Sequence, residues 1–245
     1  MKKSIAVIAA AAFFVLLFAA FTVFFDQAVL VRRGTFYHMN SSKKVVALTF
    51  DDGPSPVWTP KILDALKEKS VKATFFMLGK HVEAYPDVAR RVVQEGHDIG
   101  NHTFSHPVML FSGRSVLKSE ILKTRDIIKR ITGKTTGLFR PPKAWITASE
   151  RREIKDLGYV TVLWTLNSKD WVTFDDKYIV RYLVKNVHPG DIILFHDSGG
   201  VFGTEGGNRN ETVKTIPKLV DKLREKGYSF VTVSQLLEME KENEN

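Results

Sequence analysis

The chain has 245 residues, 44% hydrophobic and 26% charged, enough for one globular domain with a sizeable core. It contains no cysteine, which excludes disulfides, thiolate metal sites and a lipidated N-terminal cysteine. A formal net charge of +9 suits an anionic polymer or membrane surface as well as a merely solvated basic face, but no basic-aromatic stripe or reading motif points to nucleic acid.

In chain order, Lys2 and Lys3 precede an uncharged apolar run, Ile5 to Phe25. About 20 such residues span a hydrocarbon core of ~30 Å, and no convincing Ala-x-Ala cleavage site follows. Residues 1–25 are therefore expected to be an uncleaved membrane anchor, with a cleaved signal segment as the alternative. Lys2 and Lys3 favour an inside N-terminus, whereas Arg32, Arg33, Lys43 and Lys44 beyond the run favour the reverse, so flanking charge does not fix the orientation. Residues 26–42 read as a short polar connector.

Apolar runs then alternate with amphipathic stretches. Strands are expected at Val45–Phe50, Ala73–Met77, His97–Gly100, Gly137–Arg140, Val160–Leu166, Asp191–Phe195 and Ser229–Thr232. Helices are expected at Thr59–Lys69, Pro86–Glu95, Ser115–Ile131, Ser149–Leu157, Lys177–Asn186 and Thr212–Lys226. Gly96, Gly133 and Gly158 close three of them. The alternation implies parallel β-α units in one α/β domain over residues 43–237, with an acidic tail over 238–245. The glycine-rich stretch Asp197 to Asn210 lacks the Gly-Lys-Ser/Thr ending of a phosphate loop and reads as a rim or lid.

Functional groups of parallel α/β folds gather where strands end. Five polar clusters fall there: Asp51-Asp52, His102 with His106, Arg140-Pro141-Pro142, Asp170-Trp171 and His196-Asp197. His102 and His106 are four apart, so a helical turn or tight loop can aim both rings at one point. With Asp52 as a third ligand they make a set that leaves positions open on zinc or a similar ion. An aspartyl-phosphate enzyme would need two aspartates with one residue between them and an oxygen shell for magnesium, whereas here the aspartates are adjacent and histidines are the co-ligands on offer. The other histidines, His38, His81, His97 and His188, carry no expected role.

In this order and spacing, "TFDDGP", "HTFSH", "RPP", "SKDW" and "LFHD" resemble the five motifs of the polysaccharide deacetylases, the NodB-homology group of carbohydrate esterase family four. The resemblance implies a distorted (β/α) barrel, here with about seven parallel strands, and removal of acetyl groups from chitin-like or peptidoglycan sugars. It implies Asp52, His102 and His106 as holders of one divalent transition metal, zinc first, with cobalt or another ion as alternatives. It further implies Asp51 as general base toward a metal-bound water and His196 as the acid that protonates the amine. Arg140 would pair with the base, and Asp170 with the acid. The backbone N–H at Lys143 would meet the oxyanion, while Trp171 and Leu194 would line the pocket for the acetyl methyl.

Two departures stand out. The arginine motif usually continues Pro-Pro-aromatic-Gly, but here it reads "RPPKAW", in a segment that borders the sugar. Asn167 stands where many relatives carry another aspartate. The resulting expectation is a membrane-anchored N-deacetylase whose domain faces outward onto cell-wall glycan, or a secreted one if the leader is cut. No protein partner is evident. The alternatives are an O-acetyl xylan esterase and a catalytically silent wall-binding protein on the same scaffold.

Overall fold

The computed structural model describes residues 12–14, 16–17, 28, 32–109, 113–199 and 205–244. The anchor expected over 1–25 lies almost entirely outside them. Among the described residues no helix is long and apolar enough to cross a membrane.

The strands are β1 (Val45–Asp51), β2 (Thr74–Met77), β3 (Asp98–Asn101), β4 (Leu138–Phe139), β5 (Val160–Thr161), β6 (Leu166–Asn167), β7 (Ile192–His196) and β8 (Ser229–Phe230). They form one sheet in the order β5-β4-β3-β2-β1-β7-β6, with β8 beside the first residues of β1. Every pairing is parallel. Around the sheet lie α1 (Trp58–Glu68), α2 (Gly79–Ala84), α3 (Pro86–Gln94), α4 (Gly113–Thr132), α5 (Ala148–Asp156), α6 (Asp176–Asn186), α7 (Asn210–Glu225) and α8 (Val233–Glu244). Of these, α2 and α8 were not expected from the sequence. The second contains most of the acidic tail, and its Leu236 is buried.

All seven residues of β1 are buried, yet its two faces differ because side chains alternate along a strand. Val46, Leu48 and Phe50 join the layer beneath the helices, together with Phe75 and Phe195. Phe50 stacks on both, with ring centroids 4.9 and 5.6 Å apart. Val45 and Ala47 face the barrel interior with Phe76, Ile192 and Leu194. Thr49 and Asp51 continue that inner face toward the C-terminal rim.

The stretch expected as one strand, Val160–Leu166, is two. Val162 donates to Phe139 at one edge of the sheet, while Thr165 donates to Ile192 at the other. The chain between β5 and β6 thus crosses from edge to edge, and this crossing turns an apolar, β-branched run into two short strands. Part of the expected connector covers the seam. Phe36 bridges to Val162 and His38 to Asp191, Met39 is fully buried, and Arg32 donates to the carbonyls of Trp164 and Thr165. Gly190 permits the approach of this segment. Its φ is 85°, and a Cβ there would lie 1.9 Å from the Met39 carbonyl oxygen.

Candidate active site

Parallel register brings the five polar clusters to one rim. Asp51 stands level with both Phe76 and His196. Met77 stands level with Asn101, and Asn101 with Phe139, the residue before Arg140.

Asp52 leaves the strand with φ at 75°, a left-handed conformation that aspartate tolerates better than most residues. This turn brings its carboxylate to the His102 imidazole, whose Nε2 lies 3.5 Å from Asp52 Oδ1 and 3.9 Å from Asp51 Oδ2. His102 and His106 lie not on a helix but on a loop with left-handed residues at Thr103 and His106. Glu120 of α4 holds that loop by accepting from the N–H groups of Phe104 and Ser105, each at 2.8 Å. The Thr103 hydroxyl accepts from the His106 N–H.

Asp52 Oδ1 then lies 3.5 Å from His102 Nε2 and 3.4 Å from His106 Nε2. All three donor atoms lie within 4.8 Å of one another. Bonds of about 2.0–2.1 Å at tetrahedral angles put two donors ~3.4 Å apart, so the spacing fits a zinc-sized ion. Asp52 Oδ1 is buried and has no hydrogen-bond partner, as expected of an oxygen that needs a cation. His102 Nδ1 donates to the Arg140 carbonyl at 2.8 Å, which leaves the Nε2 lone pair toward the cluster. Burial, outweighing the nearby carboxylates, pushes His106 down to about 4, so that ring is neutral and able to ligate near pH 7. The two histidines hold the Asp52 carboxyl far below the usual range against the opposing effect of burial.

Arg140 is fully buried in the interior. It donates to Asp51 Oδ1 at 2.7 Å, to Thr49 Oγ1 at 2.8 Å and to the carbonyls of Val162 and Leu163. Its guanidinium lies 4.0 Å from the Phe76 ring centroid. One side chain therefore orients Asp51 and satisfies the carbonyls freed where the chain leaves the sheet.

On the far side, Asp170 accepts from His196 Nδ1 at 2.8 Å, from the His196 N–H at 2.9 Å and from the Thr212 hydroxyl at 2.8 Å. Burial acts to lower His196, but the Asp170 carboxylate outweighs it and the net shift is upward. Burial acts to raise Asp170, and His196 outweighs it downward. Both shifts favour the charged pair.

The remaining expected residues have distinct places. Lys143 is exposed in a turn at Pro142–Ala144 with φ at 57°, and its charge acts on His106. Trp171 is half-buried in the turn after Asp170, and Leu194 is buried on the interior face two residues below His196.

Several groups at the site were given no role in the sequence. Thr49 was legible in principle, since it alternates with Asp51 on one face. His81, given no role, donates from Nδ1 to the Asp52 carbonyl at 2.6 Å. Arg209 is buried and donates to the carbonyls of Ser198, Asp170 and Gly199. Asp197 is wholly buried, and burial pushes its carboxyl up to about 7. The stretch expected as a rim or lid lies partly outside the described residues. Within its described part, Glu205 pairs with Lys80 at 3.2 Å.

The polysaccharide deacetylase family profile matches residues 38–162. A peptidoglycan-N-acetylglucosamine deacetylase of Bacillus cereus is 38% identical over 203 residues, 82% of this chain and 92% of that protein. The peptidoglycan-N-acetylmuramic acid deacetylase PdaC of Bacillus subtilis is 39% identical over 84% of this chain, which spans 41% of that protein. A crystal structure of the Bc1960 peptidoglycan N-acetylglucosamine deacetylase superposes with a TM-score of 0.79 at 34% identity, covering 86% of this chain and 96% of that one.

Proposed function

This chain belongs to the polysaccharide deacetylase family, hydrolases that act on N-acetyl groups, and from that premise we propose that it removes acetyl from the amino sugars of peptidoglycan with a divalent metal, zinc first. The observation that carries this reading is the buried, unpartnered Asp52 oxygen between two imidazoles, beside the Asp51–Arg140 pair.

A cation held by Asp52, His102 and His106 would polarise the acetamide carbonyl and lower the pKa of a water. Asp51, oriented by Arg140, takes the proton of the attacking water. His196 delivers its proton to the departing nitrogen, which would otherwise leave as a poor anion. We assign the oxyanion contact to the turned backbone at Lys143, and the acetyl methyl to Trp171 and Leu194.

The test is acetate release from peptidoglycan, a chitooligosaccharide and acetylxylan, with and without chelator. Release from peptidoglycan that stops on chelation and returns with zinc is expected. Release from acetylxylan alone would move the activity to esters, and release unaffected by complete metal removal would end the metal reading. Identifying the free amino sugar in the digested product distinguishes glucosamine from muramic acid, between which the two Bacillus relatives differ.

The Asp170–His196 pair predicts a pH dependence. His196 works protonated and its pKa is raised, so activity is present below that pKa and falls as pH rises through it. Asp170→Asn removes the carboxylate that raises it, and the high-pH fall should move to lower pH. A pH–kcat profile whose high-pH limb stayed in place would separate Asp170 from the acid's protonation.

We further propose that the run Ile5 to Phe25 fixes the protein in the cell membrane with the domain outside, where the glycan lies. Extraction of the full-length chain should then require detergent. Soluble recovery at a mass lacking residues 1–25 would show a cleaved leader instead.

A further inference from the structure

The Asp197 carboxylate is wholly buried beside the site, yet no step of the reaction uses it. Its Oδ2 accepts from the Thr59 hydroxyl at 2.5 Å. That hydroxyl accepts in turn from the Ser55 N–H at 2.7 Å. Ser55 Oγ accepts from the N–H groups of Val57 and Trp58, at the start of α1. The relay therefore runs from the end of β7, through Asp197 and Thr59, to the chain that follows the two catalytic-rim aspartates.

The turn lies directly on this carboxylate. A Cβ on Gly53 would stand 2.1 Å from Asp197 Oδ2 and 2.4 Å from Oδ1, so only glycine admits the contact. The backbone completes the link, because the Asp197 N–H donates to the Asp51 carbonyl at 3.1 Å. Gly53 is bonded on its other side, its carbonyl accepting from the Leu78 N–H at 2.9 Å. The turn carrying Asp51 and Asp52 is thus gripped between β2 and the residue next to His196.

We propose that Asp197 is a positioning residue: with Thr59 as its hydrogen-bonded relay, it locks the Asp51–Gly53 turn to the end of β7 and so fixes base, metal ligand and acid in one frame. It acts through these neighbours and touches no reacting atom. A buried carboxylate is costly unless it is bonded; here Oδ2 holds the Thr59 hydroxyl, which in turn accepts from the Ser55 N–H, while Oδ1 has no hydrogen-bond partner. Misplacement of a catalytic group by about 1 Å can cost on the order of 10²-fold, so the relay is expected to be felt in turnover more than in substrate binding.

The experiment compares the detergent-solubilised full chain with its Thr59→Val, Thr59→Ser and Asp197→Asn variants on a soluble acetylated oligosaccharide, with metal content measured in each. Thr59→Val cuts both hydrogen bonds at nearly constant shape, and its kcat should fall by about tenfold or more, with KM and metal content little changed. Thr59→Ser keeps the hydroxyl, and the amide oxygen of Asp197→Asn still accepts from it; both should stay within roughly threefold of wild type. A folded Thr59→Val with wild-type kcat overturns the proposal, as does a Thr59→Ser as slow as Thr59→Val. If Thr59→Val does not fold, Asp197→Asn decides, since its full loss of kcat would mean that charge, not position, is what Asp197 supplies. The inference rests on the deacetylase reading, whose own failure would appear as an inactive wild-type chain.

Discussion

Asp51→Asn is expected to leave fold and metal content intact while turnover falls by about 10²–10⁴-fold, the usual contribution of a general base. Asparagine keeps the shape and can still accept from Arg140 through its amide oxygen, but it cannot take a proton. Oδ1 of Asp51 faces Arg140, while Oδ2 faces the cluster, 3.9 Å from His102 Nε2. That second oxygen is the one free to work on a water. His102→Ala is the contrasting variant, because it removes a donor atom from the ion and should empty the site of metal. Elemental analysis and acetate release on the same preparations separate the two losses. An Asp51→Asn variant within tenfold of wild-type turnover would remove Asp51 as the base. Full metal content in His102→Ala would take that imidazole out of the ligand set.

The adjacent aspartates were readable because strand and chemistry are local to one another. A run of apolar residues ends, two carboxylates follow, and parallel strands bring similar endings to a common rim. The same logic applies to His102, Arg140, Asp170 and His196, each of which ends or follows a strand expected from the sequence. It failed where a partner lies far along the chain. Val160–Leu166 has the composition of one strand, and the break comes from its opposite ends pairing with Phe139 and Ile192. The connector concealed Met39, whose burial depends on the approach of Gly190. Arg209 lies near the end of the glycine-rich stretch and Thr212 in the first turn of the helix that follows, and nothing in that local pattern announces that both reach Asp170. Local chemistry carried the list of actors, whereas the groups that hold them arrive through tertiary contact.

Arg140→Met should cost stability as well as activity, on the order of 3–5 kcal/mol, the loss typical when one partner of a buried ion pair is removed. Methionine fills much of the space but donates to none of Thr49, Asp51, Val162 or Leu163. The two carbonyls sit where the chain crosses between sheet edges, so their loss falls on the seam of the barrel. The Asp51 carboxylate, 4% exposed, is left without its cation. For a domain of this size about 1 kcal/mol moves the melting temperature by roughly 2–4 °C, so a fall of about 6–20 °C is expected. Arg140→Lys retains charge yet cannot serve two carbonyls and a carboxylate from one plane, and should recover only part of it. The double variant Arg140→Met with Asp51→Asn decides between the two sources of the loss. If the stranded carboxylate dominates, removing its charge should restore much of the melting temperature while acetate release stays abolished. A double variant as unstable as Arg140→Met alone would place the loss on the unbonded carbonyls of Val162 and Leu163. Arg140→Met with wild-type stability would contradict both, and would mean that the interior tolerates Asp51 without its partner.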